Sequence, residues 1–129
     1  MSTTAKKRYI KKCKSGDNMT NEYGVELYRN GYSTSVIQSD MSCCFRCRRT
    51  NDKLDRHEVY ANAYREKSKR LGAWVLLCHS TCHEGRNGVH QNANEGRYLK
   101  QLGQKAMMAH YHWTTEEFIN QFGKNYLED

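Results

Sequence analysis

Two thiol pairs, Cys44-Phe-Arg-Cys47 and Cys78-His-Ser-Thr-Cys82, flank a basic stretch that contains His57-Glu58, and His83 and His90 follow close behind. A tight turn at a C-x-x-C lets two thiolates reach one ion, and a second pair can complete a tetrahedral zinc set. The second pair is one residue wider than the commonest zinc spacing, so His79 or His83 are alternatives to Cys82 as fourth ligand. Cys43, beside Cys44, is an alternative in the first half with a shifted turn. A soft four-thiolate set of Cys44, Cys47, Cys78 and Cys82 is the simplest choice, and a structural Zn²⁺ is the expected cofactor. A redox reading of Cys44-x-x-Cys47 is weaker, because no βαβ pattern surrounds it and a second thiol pair lies downstream.

His57, Glu58, His83 and His90 would each be unremarkable alone. A clamp through the four cysteines would carry the end of one strand to the segment after Cys82. That brings His57, Glu58 and His83 together beside it. A strand-borne histidine facing a helix-borne one can hold a divalent cation on a phosphate and activate a water.

Composition narrows the partners. The net charge of +7 and pI of about 9.2 favour a polyanion. Hydrophobic residues make up 37% of the chain and the mean hydropathy is -0.99, so bound metal is expected to supplement a modest core. No apolar run is long enough for a membrane span and no apolar signal core opens the chain, so the expected setting is the reducing cytoplasm, where paired cysteines bind metal more often than they form disulfides.

Elements must then position these groups. Residues 1–40 read as a basic, largely irregular N-terminal arm, with Lys6 to Lys14 at its head, an unpartnered Cys13, and strand character only at Ser35-Val36-Ile37-Gln38. Residues 41–129 read as a zinc-supported domain. Within it Leu54–Tyr60 is a short strand, and 61–71 a loop or short helix stopped at Gly72. Ala73–Leu77 is the best strand, pairing antiparallel with the first, and Cys82 and His83 should open the helix that follows. From Ala93 the pattern is helical, with Tyr98, Leu99, Leu102, Ala106 and Ala109 marking one buried face and Met107 and Met108 as packing residues. Thr114 and Glu117 form a capping-box signature for a helix from Thr115 to Phe122, stopped by Gly123.

The stretches Leu54-Asp-Arg-His57-Glu58-Val-Tyr60, Leu76 to His83, Gly88-Val-His90 and Phe122-Gly-Lys-Asn-Tyr-Leu127 resemble phage-encoded HNH endonucleases. The resemblance runs from about Cys44 to the C-terminus. It implies an α+β, zinc-supported ββα-metal fold with a C-terminal pair of helices, and a metal-dependent DNA endonuclease acting in phage DNA recombination or processing. It also implies a general base at the end of the first strand, here His57, and a catalytic Mg²⁺ or Mn²⁺ bound by Glu58 and His83. His90 would be a further ligand or phosphate contact. Many relatives place the base second in the strand pair, so the roles of His57 and Glu58 are open to exchange. Asn62 is the possible counterpart of the middle asparagine. DNA is the expected partner, tracked by Arg46, Arg48, Arg49, Arg56, Arg65, Lys67, Lys69 and Arg70, with recombination proteins of phage or host as candidates for a director. Nothing in the helices announces a dimer, so a monomer is expected. The alternative is a non-catalytic zinc module that binds nucleic acid.

Overall fold

The computed structural model describes residues 19–127; the basic head of the arm and Cys13 lie outside the described residues. The chain is a small α+β fold built on one antiparallel pair of strands, β1 (Leu54–Glu58) and β2 (Trp74–Cys78). Leu54 stands opposite Cys78 and Glu58 opposite Trp74. Between the strands the chain makes a 3-10 turn at Asn62–Tyr64 and the helix α1 (Arg65–Leu71). Gly72 stops α1 at φ 87°. A Cβ there would lie 2.6 Å from the Thr34 carbonyl oxygen, so both the backbone conformation and the packing call for glycine. Buried Ser68 closes the connection, accepting from Tyr60 N and donating to Tyr60 O.

Ser35–Gln38, despite its strand character, is irregular, as expected of the segment leading into the first cysteine pair. It lies along the free edge of β2 and satisfies that edge largely through side chains: Leu76 N donates to Gln38 Oε1 at 2.8 Å, and Ser35 Oγ donates to Trp74 O. Val36 N donates to Gly72 O. Val36 and Ile37 supply apolar cover, but the polar residues on either side turn back to the backbone instead of continuing a ladder.

After β2 the chain makes a single π turn at His79–His83, not the start of a long helix. Cys78 Sγ accepts from Cys82 N, a cap that favours the tight turn. The long helix α2 begins only at Ala93 and runs to Tyr111, its N-terminus capped by Asn92 Oδ1. Leu99 and Met107 are buried as expected, and with Gly103 and Gln104 they define a face rotated from the expected one: Leu102 and Ala106 are half-buried, Tyr98 is 59% exposed and Ala109 is also exposed. The rotation follows from Gly103, which lets the helix approach Val59 and Tyr60 closely. Helix α3 (Thr115–Phe122) has the full capping box of Thr114 and Glu117 and ends at Gly123. Phe118 and Phe122 carry it into the core beside Tyr60, Leu71, Leu77 and Met107. Among the described residues no helix is long and apolar enough to cross a membrane.

Candidate metal centre

The four thiols of Cys44, Cys47, Cys78 and Cys82 converge with their Sγ atoms within 4.8 Å of one another. The knuckle that carries the first two is folded by Cys44 N donating to Arg49 O and Arg48 N to Cys44 O, with Arg48 in the left-handed region at φ 67°. Phe45 N donates to Leu76 O and docks the knuckle on the outer edge of β2, beside Cys78. Cys47 Sγ and Cys78 Sγ are 3.7 Å apart. A tetrahedral zinc with Zn–S bonds of ~2.3 Å needs S···S edges of about 3.8 Å, so the spacing fits such an ion. Burial raises the Cys44 thiol, but backbone N–H groups, that of Cys47 foremost, outweigh it and lower it to about 7. Burial and the neighbouring thiols push Cys82 well above the usual range. One thiolate is thus favoured and further ones are opposed by the first, which is the electrostatic situation a divalent cation relieves. Cys43 is buried but stands outside the group; its carbonyl accepts from Gln38 Nε2.

A second group forms on the other side of the π turn. His57, His83 and His90 bring one ring nitrogen each within 4.8 Å of one another. His83 Nε2 and His90 Nε2 are 2.9 Å apart. The ring centroids of His57 lie 5.3 Å from those of His83 and 4.9 Å from those of His90. Strand geometry places His57, and the π turn places His83. The return of His90 depends on backbone: Val89 N donates to Cys82 O at 2.8 Å, and Gly88 lies so close that a Cβ would stand 2.7 Å from the same oxygen. The Gly-Val-His element therefore has a local cause, since only glycine lets the chain fold back over the turn and set His90 against His83.

Residues alternate faces along a strand. Asp55 and His57 share one face of β1, and Glu58 belongs to the other. Asp55 was assigned no role in the sequence, yet its Oδ2 accepts from His83 Nδ1 at 2.8 Å and meets His79 Nδ1 at 2.5 Å. Burial raises the Asp55 carboxyl, but its bonds to His79 and His83 more than offset this and hold it below the usual range. With Nδ1 committed to Asp55, His83 turns its Nε2 toward the group, the arrangement by which carboxylates fix metal-binding histidines. The strand period is the signal that could have singled out Asp55.

Glu58 is not part of the histidine group. Its carboxylate accepts from the Tyr32 hydroxyl and from Arg65 Nε at 3.0 Å, although it lines the same cleft. Burial, followed by the hydrogen bond to Glu58, pushes the Tyr32 phenol up to about 12, so it remains a donor. The cleft encloses about 390 Å³ and is lined by Arg56, Glu58, Asn62, Arg65 and the three histidines. Burial, then the nearby His90, His83 and Lys100, push His57 down to about 3, leaving a neutral imidazole at ordinary pH.

Of the basic residues expected around the site, Arg56 and Arg65 reach the cleft. Arg46 pairs with Glu95 at 3.0 Å and lines, with Arg48, a separate groove against α2. Arg49 donates to Thr81 Oγ1, Lys67 to Gln121 O and Arg70 to Glu22, while Lys69 sits over the Tyr32 ring and near Glu66.

No family model, no curated protein and no solved structure matches the chain. A functional reading therefore rests on two adjoining ligand sets: four thiols that can hold a soft ion, and three imidazoles opening on a basic cleft.

Proposed function

We propose that the chain is a metal-dependent, HNH-type DNA endonuclease whose four thiolates hold a structural Zn²⁺. The observation that carries the reading is the convergence of His57, His83 and His90 on one open cleft flanked by Arg56 and Arg65. Thiols suit a soft structural ion, while three imidazole nitrogens with a solvent-facing side suit a divalent cation that keeps room for substrate. Such a cation would supply positive charge beside a phosphate as negative charge develops there.

The chain's own residues do the rest. Arg56 and Arg65 meet the phosphodiester at the mouth of the cleft. Asp55 holds His83 in one tautomer and orientation. Glu58 lines the cleft without belonging to the imidazole group, which favours it over His57 as acceptor of the proton from the attacking water. The water oxygen bonds to phosphorus, the bond from phosphorus to the leaving sugar oxygen breaks, and that oxygen takes a proton from solvent. Tyr32 and Arg65 keep the Glu58 carboxylate in place.

The test is zinc content together with plasmid nicking in Mg²⁺ and in Mn²⁺, for wild type, His83→Ala and Glu58→Gln. The expected result is about one zinc per chain in all three, as a four-thiolate site implies. Nicking should fall by roughly 10²–10⁴-fold in Glu58→Gln, the usual contribution of a general base. His83→Ala should lose it together with its response to added cation. Zinc and DNA binding with no nicking under either cation would replace the nuclease with a non-catalytic zinc module.

A further inference from the structure

Lys100 was not among the basic residues expected at the site, yet it stands close enough to His57 for its charge to oppose protonation of that ring. It faces a second recess of about 350 Å³, lined by Arg97, Lys100, Lys124, Tyr126, Val89 and Gly96 among others, with no carboxylate in its wall. Val89 lines this recess and its neighbour His90 lines the histidine cleft, so the two concavities adjoin. Lys100 Nζ lies 5.7 Å and Lys124 Nζ 5.4 Å from the centroid of the Tyr126 ring. Among the described residues none of the ion pairs involves Lys100 or Lys124.

The tail that brings Lys124 and Tyr126 here is held by a buried polar device. Gln104, fully buried on α2, donates to Asn125 Oδ1 at 2.9 Å and accepts from Tyr126 N at 2.7 Å. Gln101 donates to Tyr126 O at 2.9 Å. A glutamine in the core is costly unless both ends are paired, and here both are spent on fixing two residues of the tail. The Lys124-Asn-Tyr126 run is thus held in place by α2.

We propose that Arg97, Lys100, Lys124 and Tyr126 form a strand-binding subsite, which takes a phosphodiester and an adjoining base of a DNA strand next to the three-histidine cleft. The identity of the ligand rests on the nuclease reading. The cations neutralise phosphate, and the half-buried Tyr126 ring, over which both lysines lie, sets an aromatic group beside them for an adjoining base to contact.

The experiment uses the full, zinc-loaded chain and fluorescein-labelled 20-nucleotide single-stranded and 20-base-pair duplex DNA, titrated by anisotropy over a range of salt with no Mg²⁺ or Mn²⁺ added. Lys100→Ala/Lys124→Ala is compared with wild type and with Lys105→Ala, an exposed cation of α2 outside the recess. The expected slope of log affinity against log salt falls by roughly 1.4 on single strands or 1.8 on duplex, the value of two phosphate contacts, and stays near wild type in Lys105→Ala. Lys124→Gln alone, at an exposed position, should show about half of that and serves if the double variant fails to fold. A lowered slope in a protein that never nicks plasmid keeps the subsite and removes the nuclease. Nicking by wild type with an unchanged slope and affinity in the double variant overturns the subsite and leaves the nuclease standing. Absence of DNA binding by wild type overturns the subsite.

Discussion

The thiol group and the imidazole group hang from consecutive residues, Cys82 and His83, yet they are built in opposite ways. Three of the four cysteines are buried, and the knuckle is fastened to β2 by backbone hydrogen bonds. The imidazoles grade from enclosed His57 to exposed His90 and open on a cleft with two arginines in its wall. A closed set of soft donors suits permanent residence of an ion, whereas an open set of nitrogens suits an ion that shares its shell with substrate. The difference teaches that one short turn can carry both a closed and an open ligand set, and on the proposed reading the first would serve the fold and the second the chemistry.

The largest effect should come from breaking the first group. Cys78→Ser, or removal of zinc by a strong chelator, should abolish the cooperative thermal transition followed by circular dichroism. A structural zinc contributes on the order of 10 kcal/mol, as much as a domain's whole stability. His83→Ala should keep a cooperative transition. If both variants melt alike, the division of labour fails.

A smaller effect separates the groups by pH. His57 is pushed down to about 3 from its ordinary 6.5, so below about pH 6.5 the unfolded chain takes a proton that the folded chain refuses. Stability should therefore fall as pH drops from about 6.5 toward 3, by up to about 1.4 kcal/mol per unit from this residue. Urea unfolding of zinc-loaded protein between pH 4.5 and 8, for wild type and for His57→Asn, checks it. The variant should lose that part of the slope, and equal slopes would refute it.

The smallest effect sharpens the second group from within. Asp55→Asn keeps the shape but weakens the hold on His83 Nδ1, and should cost about 10–100-fold in affinity for the cleft cation. Zinc content should not change. The half-saturating Mn²⁺ concentration for nicking is the readout, with Asp55→Glu expected to recover part of the loss.

Local signals were legible in the sequence, and relations between distant segments were not. The cysteine spacings, the antiparallel pairing of the two strands, the stops at Gly72 and Gly123 and the cap at Thr114 each depend on a few neighbouring residues. The buried face of α2 was misplaced because Gly103 and Gln104 look polar or neutral in a periodicity. They are buried for the sake of Tyr60 and of Asn125 and Tyr126. The π turn has no periodicity to detect, and the return of His90 rests on a bond from Val89 to Cys82. Strand alternation was legible too, and it places Asp55 on the face of His57.

The five-pair register of β1 on β2 has a consequence for fidelity during folding. A slip by one residue would turn Arg56 and Glu58 toward the imidazoles and take Asp55 and His57 away. Two strands this short specify their alignment weakly by themselves. The knuckle is fastened to β2, and only the short run 48–53 joins it to β1, so ion capture by the thiols leaves β1 little freedom to slide. A zinc held by the four thiols would then act as a proofreader: it would retain the alignment that assembles the site, and chains folded without it would be free to keep a neighbouring one.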